Sequence, residues 1–169
     1  LSAIQKITAT YDTVYSTKNI KKISHFLDQW TPDIVHLHNY NFQLTPSVLK
    51  EFSKRNIRVV QTIHDSQMVC PYHRLYNFQK ESTCTKCVEG SFSNCIKDRC
   101  FDNSLLKSTV GAAESYLYHG KDYYNKYIDY YISPSQFLKN LVSKRVHKPI
   151  EVIPNFVDVL LDQNTLKSN

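Results

Sequence analysis

Glycine is scarce in this chain. Its 169 residues hold only Gly90, Gly111 and Gly120, and no phosphate-cradling Gly-x-Gly-x-x-Gly turn or P-loop can be drawn from them. Long apolar runs are missing as well, the longest being a few residues against the roughly 20 that a membrane-spanning helix needs. No basic start followed by an apolar block opens the chain, so no secretory leader is read. The expected compartment is the cytoplasm, with contact at the inner face of the membrane left open by the charge. Basic stripes interleaved with aromatics are absent too, which argues against a nucleic-acid partner. The chain begins at Leu1 rather than methionine, from which an earlier natural start is expected.

What is present reads as a folded protein of one domain. Hydrophobic residues make up 41% and charged residues 21%, far from the composition of a disordered segment. The net charge of +6 gathers at Lys21-Lys22, Lys54-Arg55 and Lys144-Arg145. Such pairs are solvated helix faces by default, and an attraction to phosphates or to an anionic membrane is the sharper alternative.

Hydrophobic periodicity alternates along the chain. Ile20, Ile23, Phe26, Leu27 and Trp30 share one helical face, and Thr31-Pro32 stops that helix. Asp33 to Asn39 is short and mostly apolar, the pattern of a buried parallel strand. Thr45-Pro46 predicts a capped helix start, with Val48, Leu49 and Phe52 inward and Lys50, Glu51, Lys54 and Arg55 outward. A strand follows from Arg58 to His64. After the insertion, a long helix from Ser104 repeats apolar residues at Leu106, Val110, Ala113, Leu117, Tyr124 and Ile128. Tyr130 to Ile132 is the third strand. Ser133-Pro134-Ser135-Gln136 is a capping box with Ser133 as the cap, and Phe137, Leu138, Leu141 and Val142 bury its helix. Glu151 to Ile153 is the last strand. This order predicts an α/β, Rossmann-like parallel sheet with helices on both faces.

Between the second strand and the long helix, residues 66–103 form an insertion too long for an ordinary connection. It carries all five cysteines. Cys84-x2-Cys87 and Cys95-x4-Cys100 supply two thiol pairs, the donor set of a tetrahedral zinc site, with iron equally suited by ligand type. Such a closed site is structural, and Lys86, Lys97 and Arg99 stand near to offset its charge. Disulfides and free thiols are the other readings, though an odd count and a reducing compartment disfavour pairing. Cys70, beside Pro71, is the one left over, or a substitute for one of the four. His36 and His38, two apart on a strand, share a face. They are either two metal ligands or a core residue and a cleft residue.

The ordered motifs resemble the retaining glycosyltransferases of family four, which have the two-domain GT-B architecture. The pieces are Pro32 to Asn39, Thr62-Ile63-His64-Asp65, Cys70-Pro71, the Cys84 to Cys100 cluster, Ile132 to Ser135, and Val152 to Asp158. The resemblance implies that residues 1–158 are most of an N-terminal, acceptor-side domain, followed by a polar tail over 159–169. A glycine loop for the donor phosphates and a C-terminal donor domain would lie outside it, so the isolated chain is expected to be inactive. It implies a catalytic role for His64, which would orient sugar hydroxyls. A strand-end histidine bonded to backbone is the plainer account. The resemblance further implies substrate contacts from His38, Asn39, Asp65, Ser135 and Asn155, a nucleotide-sugar donor, and a glycan or lipid-linked acceptor. Glu114 and His119 are placed on the long helix without an assigned direction, and the tyrosines from Tyr116 to Tyr131 read as edge-covering residues. The rival functions are a standalone metal-stabilised binding module and the remnant of a truncated gene.

Overall fold

Local chemistry starts the first helix where expected. The Ser16 hydroxyl accepts the Asn19 N–H at 3.2 Å, supplying one of the partners that a helix start lacks. Helix α1 then runs Thr17–Gln29. The structure is a computed structural model and describes residues 11–41 and 44–156. The first ten residues, Asp158 and the tail read over 159–169 lie outside that range. Leu27 is buried in the core, whereas Phe26 and Trp30 are exposed and pack edge to face on each other at 5.8 Å.

Strand β1 (Ile34–His38) is followed by a 3₁₀ turn, Pro46–Val48, and helix α2 (Leu49–Lys54). Val48, Leu49 and Phe52 are buried as expected. Two details differ from the sequence reading. Thr45 makes no helix cap; its hydroxyl meets Ser47 Oγ at 2.6 Å and accepts the Ser16 N–H at 3.3 Å. Glu51, read as solvent-facing, is 4% exposed, because Lys54 and Arg55 bond its two oxygens at 2.6 and 3.1 Å. Arg55 also reaches Asp28 at 2.5 Å, which ties α2 to α1.

Strand β2 (Arg58–Thr62) leads into the insertion, where β3 (Tyr76–Asn77) and β4 (Ser82–Thr83) form an antiparallel hairpin and α3 (Ser93–Lys97) a short helix. Then come α4 (Leu105–Gly120), α5 (Tyr123–Lys126), β5 (Tyr130–Ser133), α6 (Gln136–Val142) and β6 (Ile150–Val152). The main sheet is wholly parallel in the order β1-β2-β5-β6. The chain is thus an α/β domain, a four-stranded parallel sheet flanked by helices. No helix among the described residues is long and apolar enough to cross a membrane.

Register decides what each face carries. Leu37, Gln61, Tyr131 and Ile150 are lateral neighbours and all are buried, as are Val59 and Ser133 on the same face. On the opposite face Ile34, His36, His38, Tyr130 and Glu151 are exposed. Strand β1 is therefore not the buried strand its apolar run implies. Among the described residues it has a sheet neighbour on one side only, so alternate side chains reach solvent.

Helix α4 buries a different stripe from the expected one. Ser108, Gly111, Ala112, Ser115 and Tyr118 face inward, while Leu106 is 74% exposed and Tyr124 and Ile128 lie beyond the helix. The inward residues are small because the insertion packs onto them: Phe92, Cys87, Cys95 and Ala112 make a separate small core, with Ile96, Cys100 and Phe101 against it. Arg145 fastens the insertion from the other side. Its Nη2 donates to the Cys87 and Gly90 carbonyls at 2.6 and 2.5 Å, and its guanidinium stacks on Phe92 at 4.2 Å. Helix α6 is capped by Ser135, which accepts the Leu138 N–H at 3.2 Å, and not by Ser133. Ser133 sits in β5 and donates to the Ser135 carbonyl, while Gln136 turns to Asn140.

A Cβ at Gly111 would stand 2.5 Å from the Phe101 ring. Gly111→Ala is expected to destabilise the fold by about 1–3 kcal/mol through overpacking. In thermal unfolding this lowers Tm by roughly 2–4 °C per kcal/mol for a domain of this size.

Candidate functional site

Parallel α/β sheets place ligands beyond the carboxyl ends of their strands. Here the ends of β1 and β2 meet. The register sets His38 beside Thr62, and His64, two residues on, falls next to the same imidazole. His38 Nδ1 and His64 Nε2 are 2.9 Å apart. One ring donates and the other accepts, which ties the tautomer of each to its neighbour. His36 lies behind them, its ring 4.3 Å from that of His38, with Nε2 2.8 Å from the Thr62 hydroxyl. Burial, and then the neighbouring His38 and His64, push the His36 pKa down. The two histidines of β1 do share a face, and the third imidazole comes from the adjacent strand.

A small polar cleft opens at this point, lined by Asn39, Asn41, Gln61, Thr62, His64, Asp65 and Gln67 among others. Asn39 turns the chain out of β1 at φ 41°, a left-handed conformation that asparagine tolerates well. Asp65 Oδ1 accepts the Gln67 N–H at 2.9 Å, and its other oxygen lies 3.7 Å from His73 Nδ1. Burial lowers the His73 pKa, opposed by Asp65 and assisted by Arg74. Asn41 and Gln61 were not singled out from the sequence, since one carboxamide in a loop or strand breaks no period. Both are buried, and Asn41 Oδ1 and Gln61 Oε1 have no hydrogen-bond partner among the described residues. Leaving a buried acceptor unpaired costs about 1–3 kcal/mol.

Asn41 also borders a second cavity of about 290 Å³, lined by Phe101, Leu106, Val110, Gly111 and Glu114. Of the two undirected residues on α4, Glu114 is thus the one that faces a cavity, and burial pushes its carboxyl pKa up to about 7. His119 packs in the core between Phe92 and Tyr124. Burial first, and Arg145 second, push it down to about 4.

The other predicted substrate residues do not join the cleft. The Ser135 hydroxyl is committed to capping α6. Asn155 is exposed beyond β6, and no hydrogen bond among the described residues ties it to the histidines.

All five cysteines are free thiols and line one cavity of about 10 Å³. Burial raises Cys87 to about 12. The Cys95 S–H donates to Cys100, which drives Cys95 up and draws Cys100 down to about 7. Asp98 at the rim is held below the ordinary carboxylate range by Lys80 and Lys86. Among the described residues no three His, Cys, Asp or Glu side chains are arranged as a ready-made metal cluster.

A parallel α/β sheet thus gathers imidazoles, a carboxamide and a carboxylate at the carboxyl ends of two strands, the place where such sheets hold ligands. The family profile of the starch synthase catalytic domain matches residues 10–98, more than half of the chain. The chain belongs to that family and is a glycosyltransferase domain, of the kind that performs glycosyl transfer in glycan biosynthesis. The match takes in β1, β2, the histidine pair and most of the insertion, and it is not a match to family four. No curated protein and no solved structure matches the chain.

The Glu114 shift has a defined sign. A carboxyl whose folded pKa is raised contributes stability that is full below about pH 4.5, the unfolded value, and is lost as pH rises through about 7. Glu114→Gln is expected to remove a loss of about 3 kcal/mol over that window, seen in urea unfolding as a stability difference between variant and unaltered protein that grows from about pH 4.5 to about 7. His119 acts oppositely, its contribution being full above about pH 6.5 and lost as pH falls toward 4. The two trends offset each other over nearly the same window in the unaltered protein, so Glu114→Gln leaves the His119 rise uncovered and the variant gains on the unaltered protein as pH rises.

Proposed function

We propose that the chain is the acceptor-side part of a retaining, nucleotide-sugar-dependent glycosyltransferase of GT-B architecture, with the motif set of family four. Its partner is a glycan or lipid-linked acceptor of surface-glycan synthesis. The observation that carries this reading is the convergence of His38, His64, Asn39 and Asp65 at the carboxyl ends of two paired strands, at a small polar cleft. Such a constellation matches sugar hydroxyls, each of which both donates and accepts.

In this reading His64 is the catalytic residue and His38 positions it. The bond between anomeric carbon and donor phosphate breaks, and the acceptor oxygen bonds that carbon on the same face. The acceptor proton passes to the departing phosphate. Imidazole then serves to hold hydroxyls in place as charge develops, and its contribution is orientation.

The test is nucleotide release by the full-length protein with a panel of nucleotide sugars and glycan acceptors. His64→Ala is expected to lower kcat by about 100-fold, the scale of a misplaced reacting group. His38→Ala should lower it less and leave the acceptor KM nearly unchanged. Wild-type turnover in His64→Ala, or no transfer from any nucleotide sugar by the unaltered protein, overturns the assignment.

A further inference from the structure

Two spaces meet at Asn41. On one side is the polar cleft of His64 and Asp65, and on the other the cavity of about 290 Å³ beside α4. Asp65 lines the cleft and His73 the cavity, and the two lie 3.7 Å apart, so this pair continues the shared wall. A molecule held at the histidines enters the cavity by extending past little more than one side chain. At about 30 Å³ per water in the liquid, the cavity takes roughly ten water-sized groups. That is the scale of one sugar ring with its hydroxyls.

Helix α4 turns one stripe to this space. Leu106, Val110 and Glu114 stand four residues apart on one face, and all three line the cavity. Periodicity marks Leu106 and Val110 for the core, yet the fold leaves Leu106 74% exposed and Val110 half-buried. The opposite wall is Phe101 from the insertion. Its ring lies where a Cβ on Gly111 would stand 2.5 Å away, Tyr72 meets it edge to face at 4.9 Å, and its N–H bonds the Ser108 hydroxyl at 3.1 Å. The ring is thus fixed before anything binds. Two acceptors complete the lining. No hydrogen bond or ion pair among the described residues engages the Glu114 carboxyl. Asn41 is 7% exposed, and its Oδ1 has no partner among the described residues.

This mixture selects its occupant. A pyranose offers ring C–H groups to an aromatic face, whose quadrupole is negative, and hydroxyls that donate to carboxyl and carboxamide oxygens. A hydrocarbon chain would satisfy Phe101, Leu106 and Val110 but leave both acceptors unpaired, at about 1–3 kcal/mol each. We propose that the cavity is a second sugar subsite, which holds the acceptor ring next to the one that reacts at the histidines. Phe101 and Val110 form its platform, and Asn41 and Glu114 accept from its hydroxyls. The inference rests on the glycosyl-transfer reading for what fills the cleft. It goes further by making the acceptor a glycan of two rings or more, so that the reaction extends an existing chain of sugars.

Binding of methyl glycosides to the full-length protein, read by ligand-observed NMR without a nucleotide sugar, tests it. The probes are the glycosides of glucose, galactose and N-acetylglucosamine, each as one ring and as a β-1,4-linked pair. At least one pair is expected to bind about tenfold more tightly than its single ring. Val110→Trp, which puts an indole into the cavity, should bring that ratio close to one. Glu114→Leu should lower it about threefold, and Glu114→Gln should restore most of it, because a carboxamide oxygen still accepts. Single-ring affinity in the same variant is the reference, so a general loss of folded protein lowers both values and leaves the ratio alone. No binding by any pair, equal affinity for one and two rings, or a preference that survives Val110→Trp overturns the subsite. Transfer assays with the same glycosides keep the two readings apart. Transfer without a two-ring preference overturns the subsite alone, whereas a preference lost in Val110→Trp without any transfer upholds the subsite and overturns the reading of the reaction.

Discussion

Parallel pairing of β1 with β2, in the single register that sets Ile34 beside Arg58 and His38 beside Thr62, is the constraint on which the candidate site depends. Side chains alternate strictly along a strand, so a slip of one residue would turn His36 and His38 into the core and Leu37 out of it. In the observed register the buried face stays apolar, apart from Gln61 and Ser133, and the histidines fall on the open face. Thr62 then meets His36, and His64 meets His38 just past the strand end. The hydrophobic requirement of one face thus places the polar chemistry of the other.

The insertion is attached by a different principle. It has little apolar surface to bury, and α4 answers by presenting small residues, so that Phe101 can lie where Gly111 has no side chain. Arg145, in the turn that follows α6, bonds two of its carbonyls and covers Phe92. The same insertion supplies His73, which lies against Asp65 at the cleft, and Phe101, which lines the cavity next to it. Whatever orders the insertion therefore also orders one wall of the site.

Much of the architecture was legible. Four strands were located to within two residues at either end, because short apolar runs bounded by proline, asparagine or polar turns have few other solutions. The long helix was legible from Ser104 onward, yet its buried face was not. Leu106 and Ala113 are the more apolar choices, but the neighbour they would need is the insertion, which packs instead on Ser108, Gly111, Ala112 and Ser115. The cap of α6 moved from Ser133 to Ser135 for a related reason: β5 extends through Ser133 to complete its pairing with β6, and the helix can begin only after Pro134. Asn41 and Gln61 left no trace in any pattern, since a lone buried carboxamide is neither periodic nor part of a motif.

By itself the sequence determined the α/β alternation, the position of His64 after a strand, and the presence of five thiols in one connecting segment. Periodicity, caps and spacing are local properties, and local properties survive without a partner. Only the tertiary structure decided that His38 and His64, 26 residues apart, share a hydrogen bond. It also decided that Glu114 faces a cavity while His119 fills the core, and that Cys70 joins the other four sulfurs. Those contacts arise where separate elements are pressed together by burial and register, and no single segment carries the information that sets the distance between two others.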